Sequence, residues 1–227
     1  MRSRVVAELV ALFAPPGCAG CRAPLADAAE AVCASCRREL PWLRGARCRR
    51  CALAASCVPC PARNAAFDRA WAPLAYAGPA RSIVASLKFD GALALADLMA
   101  AQLAAAAPAG VMRGVLVPVP AHPLRVRRRG FDQAHRLAEA LGRRTGLPLD
   151  ACLRRAGTTE PQSNASGRRR MRPGRIHIAA TGPVPDTALL VDDVHTTGAT
   201  LDAAARALKR AGAKQVHAVT YARTLKA

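Results

Sequence analysis

Two adjacent carboxylates and a group of threonines follow a short apolar run near the end of the chain. The apolar run, residues 188–191, is typical of a strand buried in a parallel sheet. The carboxylates Asp192 and Asp193 come next, and after a small loop the pattern of residues 200–211 predicts a helix. Ligands of open α/β sheets bind beyond the carboxyl ends of the strands. We therefore predict a ligand site in this strand, loop and helix.

The loop has the groups that a sugar phosphate needs. Helix N-termini and hydroxyl groups donate hydrogen bonds to phosphate, and a glycine lets the backbone approach closely. The carboxylates would repel a phosphate, but they accept hydrogen bonds from a sugar diol and can orient Mg²⁺. The sequence has no Gly-x-x-x-x-Gly-Lys-Ser/Thr pattern of nucleotide P-loops. A tight turn with a threonine helix cap and two solvated acids is the blander interpretation. The candidate ligand residues are Asp192, Asp193, Thr196, Thr197, Gly198, Ala199 and Thr200.

Four Cys-x-x-Cys pairs lie in the first third of the chain. Two residues between thiolates form a knuckle that chelates one side of a metal ion, so four pairs predict two tetrahedral zinc sites of four sulfurs each. Such closed sites are structural, and a segment with so few apolar residues should need the metal to fold. Sequential grouping gives the shortest loops, although an interleaved grouping is also open. The expected ligands are Cys18, Cys21, Cys33, Cys36, Cys48, Cys51, Cys57 and Cys60, whereas Cys152 is expected to be an ordinary half-buried thiol.

A basic segment follows another predicted core strand. Residues 114–120 form an apolar run that ends at prolines, and we expect residues 121–130 to be a loop. A charge run is usually a solvated face, but the position after a core strand favours contact with an anion. The basic residues of this loop are His122, Arg125, Arg127, Arg128 and Arg129.

The remaining segments supply the elements that must position these residues. We expect a short amphipathic helix over residues 5–13 and an edge strand or hairpin arm over 67–76. Three further helices are expected: one that ends near Lys88, one over residues 93–106, and one that is capped by Asp132 and ends at about residue 145. Strands are expected at 149–155 and 215–221, and residues 176–180 should lead back into the sheet. Residues 156–175 are expected to form a polar excursion with a short helix near 166–171.

The composition limits the classes of function. The formal net charge is +19, which favours phosphate-bearing ligands, while 4% aromatic residues argue against base-stacking platforms. No apolar run reaches the roughly 18 residues of a membrane span, and the N-terminus does not resemble a signal peptide. We therefore expect a cytoplasmic protein in which the cysteines stay reduced.

The string Asp192-Asp-Val-His-Thr-Thr-Gly-Ala-Thr200 resembles the phosphoribosyl pyrophosphate loop of type I phosphoribosyltransferases. The resemblance implies that the paired acids hold the ribose hydroxyls and that residues 196–200 wrap the 5′-phosphate. It also implies Mg²⁺ bound with phosphoribosyl pyrophosphate.

The wider combination is similar to the ComF family of competence proteins. It comprises Pro118-Val-Pro120, Arg125, Arg129-Gly-Phe-Asp-Gln133, residues 159–162, Arg170 and the acid–threonine string, preceded by a double zinc ribbon. The resemblance implies an α/β fold with a mostly parallel, type I phosphoribosyltransferase-like sheet flanked by helices. It also implies a role in the uptake of transforming DNA. The chain departs from the family pattern at Asp132, where Asn is usual, and near Pro173 and Ile176.

These expectations divide the chain into a ribbon segment, residues 1–64, and a phosphoribosyltransferase-like domain, residues 65–227. As an enzyme, it would transfer a ribosyl phosphate to an acceptor, with Asp192, Asp193, Arg125 and Arg129 as catalytic residues and Pro120, Ala121 and His122 also contacting phosphoribosyl pyrophosphate. As a binding module, it would hold single-stranded DNA and contact the DNA-uptake machinery, with Arg168, Arg169 and Arg170 on the DNA. A pure zinc-ribbon interaction protein would leave the acid–threonine string unexplained.

Overall fold

The computed structural model describes residues 17–27, 29–89, 94–155 and 176–225. The helix expected over residues 5–13, the excursion expected over 156–175 and the triplet Arg168, Arg169 and Arg170 lie outside the described residues.

A parallel sheet forms the centre of the fold. Its strands are ordered β1-β7-β6-β3, and β2 pairs with β7 farther along the same edge as β1. All of these pairings are parallel. The mostly parallel α/β fold that the sequence predicts is thereby confirmed. The strands are β1 (Arg69–Trp71), β2 (Leu74–Ala75), β3 (Val115–Pro118), β6 (Thr187–His195) and β7 (Gln215–Arg223).

The edge position of residues 67–76 follows from Pro73. Proline cannot donate a ladder hydrogen bond, so it interrupts the edge between β1 and β2 without disturbing an inner strand. The Leu43 N–H donates to the carbonyl of Pro73, and the Ala75 N–H donates to that of Pro41. These bonds attach the residues that follow the first ribbon (residues 18–36) to this edge of the sheet.

Strand β6 is longer than the sequence analysis predicts. The predicted strand stops before the two acids, but the observed strand continues through Asp192 and Asp193 to His195. The reason is tertiary, because β7 also extends two residues beyond its predicted end and pairs with β6 as far as His195 and Arg223.

Helices cover both sides of the sheet. Residues 121–130, expected to be a loop, contain a short helix because His122 caps its start, Pro123 fits the first turn and Gly130 ends it in a left-handed conformation. The helices are α1 (Ala34–Arg38), α2 (Gly78–Phe89), α3 (Ala94–Ala106), α4 (Pro123–Arg129), α5 (Gln133–Thr145) and α6 (Ala199–Arg210).

Residues 176–180 do not return to the main sheet, contrary to the prediction. Strand β5 (Ile178–Ala180) instead pairs antiparallel with β4 (Leu153–Arg155) in a separate two-stranded sheet. Buried Leu153 and Ile178 join the core beneath α6. A short apolar run cannot by itself specify its partner strand, which is why the sequence analysis misplaced this strand.

The two zinc-ribbon segments contribute to different cores. Residues of the first segment, including Val32 and Leu40, pack with α2, α3 and α5 on one face of the sheet. Phe67, just after the second segment, packs with α6 on the other face. The ribbons are therefore part of the hydrophobic core on both faces.

A substitution at Gly114 tests how closely the start of β3 approaches β6. Its φ is +86°, and an added Cβ would lie 2.4 Å from the carbonyl oxygen of Thr187, whereas Gly110 has a φ of +76° with nothing within 4 Å. We expect Gly114→Ala to lower the free energy of unfolding by at least ~3 kcal/mol and Gly110→Ala by about 1 kcal/mol, the strain of a positive φ alone. Urea unfolding of the two variants measures the difference, and equal losses would contradict the close approach.

Candidate functional site

The eight cysteines of the four pairs gather into two clusters. One contains Cys18, Cys21, Cys33 and Cys36 and the other Cys48, Cys51, Cys57 and Cys60, and within each the sulfurs lie within 4.8 Å of one another. This is the sequential grouping. The Sγ atoms of Cys21 and Cys33 are 3.8 Å apart, as are those of Cys48 and Cys60. A tetrahedral zinc ion with Zn–S bonds of about 2.3 Å separates its ligand sulfurs by about 3.8 Å.

The two ribbons repeat the same backbone turn. The Cys18 N–H donates to the carbonyl of Ala23 and the Cys48 N–H to that of Leu53, five residues on in each case. Arg22 and Ala52, each four residues after its cysteine, have positive φ values of 69° and 60°. Non-glycine residues adopt this conformation when the surrounding structure imposes it. Chelation by the knuckle is the constraint that both ribbons share.

Backbone N–H groups favour the thiolate form of the first cysteine of each ribbon. Burial acts to raise the pKa of Cys18, but hydrogen bonds from backbone groups, including the Cys33 N–H at 3.2 Å, lower the pKa to about 6. The pKa of Cys48 is lowered in the same way to about 7. Zinc binds the thiolate, so the four-sulfur sets fit structural zinc. Cys152, expected to be half-buried, is buried with 5% exposure, and burial raises its pKa to about 11.

The parallel register brings two other segments together at the carboxyl edge of the sheet. Pro118 of β3 pairs with Val191, and Asp192 pairs with Thr220 of β7. The turn at Pro120 and Ala121 therefore begins beside the two acids. Both segments are predicted to belong to one site, and the register explains why they lie at the same edge.

The two acids occupy different environments. Successive side chains of a strand point to opposite faces, so Asp193 lies on the face of Leu189 and Val191. Asp193 is buried, and its carboxylate lies 2.9 Å from the Lys88 ammonium at the end of α2. Asp193 therefore has a cationic partner within the protein.

Asp192 is partly exposed. The protein around it, and then the neighbouring charge of Asp193, raise the pKa of Asp192 well above its ordinary value. Arg155 at the end of β4 is half-buried. Burial, and then the charge of Arg125, lower the pKa of its guanidinium, whereas the charge of Asp192 acts to raise this pKa. Carboxylate oxygens are ligands for Mg²⁺ and acceptors for the hydroxyl groups of a sugar.

The segment of residues 196–200 leads into a helix whose N-cap residue is a glycine. Gly198 is the N-cap of α6 with a φ of +84° and has no side chain to cap the helix, while Oγ1 of Thr197 accepts from the Ala199 N–H at 3.3 Å. An added Cβ at Gly198 would lie 2.8 Å from Nε2 of His195, so a side chain is excluded by space as well as by conformation. Thr196 and Thr197 are exposed. The exposed threonine hydroxyls and the positive end of the helix can therefore attract a phosphate.

A buried arginine fixes the start of this segment. The Arg223 guanidinium donates to the carbonyls of His195 at 2.7 Å and of Thr196. It also donates at 2.8 Å to the carbonyl of Cys51, an expected zinc ligand. His195 is buried against Phe67, with the rings edge to face at a centroid distance of 6.0 Å. Arg223 therefore connects the second ribbon (residues 48–60) to the start of the 196–200 segment.

The turn after β3 is held by the cap of α5. One oxygen of Asp132 accepts from the Ala134 N–H at 2.9 Å, and the other accepts from the Ala121 N–H at 2.8 Å. Buried Gln133 accepts from Arg129 at 2.9 Å. Nδ1 of His122 accepts from the Leu124 N–H at 3.3 Å as the cap of α4. The N–H of Ala121 and this nitrogen of His122 are thus engaged within the protein.

Sequence reasoning did not find Lys88, Arg155 or Arg223 as site residues. Each lies far along the chain from the acids, in a segment without a recognisable motif, and only the fold brings it to the carboxyl edge. For Lys88, the only sequence feature that could have indicated a site residue is its position near the end of a predicted helix, and this feature is weak.

Two family models match the chain. A phosphoribosyl transferase domain matches residues 126–226, and a double zinc ribbon domain matches residues 9–67. The DNA utilization protein YhgH of Salmonella typhimurium is 32% identical over 227 residues, which cover 94% of this chain and 100% of that protein. YhgH of Escherichia coli K12 is 31% identical with the same coverage. The competence protein ComFC of Bacillus subtilis is 38% identical over 99 residues, 43% of this chain and 39% of that protein.

The chain belongs to the ComF family. Its sheet is of the type I phosphoribosyltransferase kind, and its two four-cysteine sites are those of a double zinc ribbon. Among the described residues no helix is both long enough and apolar enough to cross a membrane.

Asp132, which replaces the usual Asn of the ComF pattern, has a structural role in this chain. Its two oxygens accept from two different segments, the start of α5 and the turn after β3. The amide of Asn offers one acceptor oxygen and a donor, so it would not accept both bonds with separate oxygens. Asp132 thus connects these two segments through both of its carboxylate oxygens.

Zinc removal should affect the ComF sheet as well as the ribbons. We expect about two zinc ions per chain. Chelation should also weaken α2 and β7, because Cys18 and Cys36 lie in the core with Tyr221. Hydrogen exchange with and without a chelator measures this, and unchanged protection of β7 would contradict it. Cys21→Ser should lose one zinc, whereas Cys152→Ala, outside both clusters, should keep both.

His195 should make stability dependent on pH. Burial, and then the charge of Arg223, lower its pKa from 6.5 to about 4. The unfolded chain therefore binds the proton first, so this stabilisation is complete above pH 6.5 and is lost as the pH falls towards 4. Between about pH 7.5 and about 5.5, the parent should lose roughly 1 kcal/mol more than His195→Gln in urea unfolding. An equal pH dependence of both proteins would show that His195 is not the group responsible.

Proposed function

We propose that this ComF-family chain binds phosphoribosyl pyrophosphate with Mg²⁺ at the carboxyl edge of its sheet and acts in the uptake or use of DNA. The observation that carries the proposal is the N-terminus of α6, whose N-cap Gly198 has no side chain and which begins directly beyond the strand that contains Asp192. The names of the relatives, DNA utilization protein and competence protein, support the process.

The 5′-phosphate would bind at residues 196–200. The N–H groups at the start of α6 and the hydroxyls of Thr196, Thr197 and Thr200 supply the donors, and Gly198 and Ala199 bring the backbone close. The positive end of the helix dipole adds to this attraction.

The ribose would lie against the acids. Asp192 is the partly exposed acid and would accept hydrogen bonds from the ribose hydroxyls. Asp193 would act beside it while holding the Lys88 ammonium toward the ligand, since their charged groups are 2.9 Å apart. A bound Mg²⁺ would supply positive charge that offsets the negative charge of the ligand. The same charge would favour the ionised form of Asp192, whose pKa is otherwise raised.

The diphosphate would face the basic residues of α4. Arg125 is exposed, and Arg129 is half-buried near Asp193. As an enzyme, the chain would transfer the ribosyl phosphate: an acceptor would form a bond to the ribose carbon from which the diphosphate leaves. Arg125, Arg129 and Arg155 would stabilise the negative charge of the leaving diphosphate. Pro120, Ala121 and His122 would then shape the pocket, with the Ala121 N–H held by Asp132.

A non-catalytic role in binding single-stranded DNA is the second candidate. Residues 122–175 contain fourteen arginines and four acids. Dispersed phosphate contacts make DNA affinity fall steeply with salt, whereas one diphosphate pocket does not. Arg168, Arg169 and Arg170 are the residues we propose for the DNA. Thiolate zinc sites need reducing conditions, which supports a cytoplasmic location.

Calorimetry with phosphoribosyl pyrophosphate and Mg²⁺ tests the central site. Asp192→Asn should weaken binding by roughly ten- to a hundredfold, because it removes a charge-assisted hydrogen bond of about 1.5–3 kcal/mol. Thr197→Val should weaken the contact to the 5′-phosphate. Asp186→Asn is the matched control, because Asp186 is an exposed acid just before the other end of β6 and pairs with Lys214.

The control should bind as tightly as the parent. If Asp192→Asn also binds as tightly, the acid does not contact the ligand and the segment is only a turn. Repeating the titration without Mg²⁺ separates the metal contribution from that of the carboxylate.

A further inference from the structure

A cavity of about 460 Å³ lies at the opposite end of the sheet from the 196–200 segment. It is bounded by the second ribbon, the edge strand β1 and the connection between α3 and β3. Residue 217 lines it and Arg223 lies six residues along the same strand, about 20 Å away at 3.3 Å per residue. The volume is in the range of small-molecule sites, and the cavity is separate from the proposed phosphoribosyl site.

Both tryptophans of the chain line this cavity. Trp42 is 37% exposed, and its backbone is attached to the sheet by a bridge to Leu74. Trp71 ends β1 and is half-buried. Composition alone argues against a stacking platform, but the fold collects the two largest aromatic surfaces at one place. They offer planar apolar surfaces of the kind on which a base stacks.

A row of three side chains crosses the floor of the cavity. Arg69 of β1 pairs with His217 of β7, which pairs with Leu189 of β6, and all three line the cavity. His217 is 6% exposed, and its Nε2 lies 2.9 Å from the Arg113 guanidinium. A guanidinium has only donors, so Nε2 is the acceptor and the neutral ring has its proton on Nδ1. That Nδ1 is buried without a hydrogen-bond partner among the described residues.

A second unpaired donor belongs to the ribbon. Nε of Arg47 is buried without a partner in the described part of the chain, while its Nη2 donates to the carbonyl of Arg44 at 2.7 Å. Arg49 also lines the cavity, held there because the Ala70 N–H donates to its carbonyl at 2.9 Å. The lining, drawn from the described residues, includes three arginines and no carboxylate. Buried donors left unpaired are costly, so the site lacks an acceptor.

We propose that this cavity binds a nucleotide, with the base against Trp42 and Trp71 and the phosphate on Arg47, Arg49 and Arg69. His217 Nδ1–H and Arg47 Nε–H would donate to the oxygens or ring nitrogens of the ligand. A planar, anionic molecule with several acceptors matches the indoles, the guanidinium groups and the two unpaired donors together. A simple anion would leave the indole surfaces unused, and an apolar ligand would leave the donors unpaired.

The same chemistry occurs in a free mononucleotide and in one nucleotide of single-stranded DNA. Because both tryptophans lie at the cavity, their fluorescence reports directly on binding there. We would titrate the full, zinc-loaded chain with deoxyadenosine 5′-monophosphate and, separately, with a short single-stranded oligodeoxyadenylate. Quenching that saturates is expected with at least one of them. An oligomer that binds more than about tenfold more tightly identifies the DNA strand as the source, and equal affinities identify the free nucleotide.

Arg69→Gln tests the phosphate contact and Trp42→Leu tests the stacking contact. Both residues are exposed at the cavity, so these variants should fold. We expect each to weaken binding about tenfold. Arg38→Gln is the matched control, because Arg38 is an exposed arginine of α1 in the first ribbon and does not line the cavity.

Asp192→Asn and Thr197→Val should leave the quenching unchanged, which separates this site from the proposed phosphoribosyl site. Absence of quenching by both probes would overturn the proposal. Equal affinity of Arg69→Gln, Trp42→Leu and the parent would overturn it as well, since binding would then lie elsewhere.

Discussion

The parallel register of β6 between β3 and β7 is the constraint on which the rest of the structure depends. Both edges of this strand are hydrogen-bonded, and residues 188–191 are fully buried. A shift of one residue would exchange the faces of Asp192 and Asp193, and would turn every buried side chain of the strand to the opposite face. The register therefore decides which acid meets Lys88 and which remains open to a ligand.

Arg223 connects this strand to the second zinc ribbon. One guanidinium donates to the carbonyls of Cys51, His195 and Thr196, so the metal-binding knuckle and the start of the 196–200 segment share a single buried cation. Burying a guanidinium is costly unless its donors are paired, and these carbonyls pair them. The arrangement explains why a zinc ribbon and a phosphoribosyltransferase sheet form one structure here.

The two ends of the sheet differ in chemistry although both are basic. At the carboxyl end, Arg129 and Arg155 lie near the two acids, and α6 begins beyond them, which is where we propose that a sugar phosphate binds. At the amino end, arginines surround two indoles and a buried histidine without a carboxylate among the lining residues that the structure describes. The net charge of +19 thus serves two different local environments.

The sequence by itself determined the local features, because each depends on residues that are close along the chain. The Cys-x-x-Cys spacing specified the knuckles, the run 188–191 specified a buried strand, and Thr196 to Thr200 specified a loop before a helix. The edge position of residues 67–76 followed from Pro73 for the same reason.

Only the tertiary structure decided what lies far apart in sequence. Asp193 and Lys88 are 105 residues apart, and Arg223 and Cys51 are 172 apart. The pairing of β5 with β4, the helix in place of a loop at residues 123–129, and the meeting of Trp42 and Trp71 in one cavity were likewise decided by packing. Periodicity reports which face of an element is buried, but not against which other element, and that choice belongs to the folded chain as a whole.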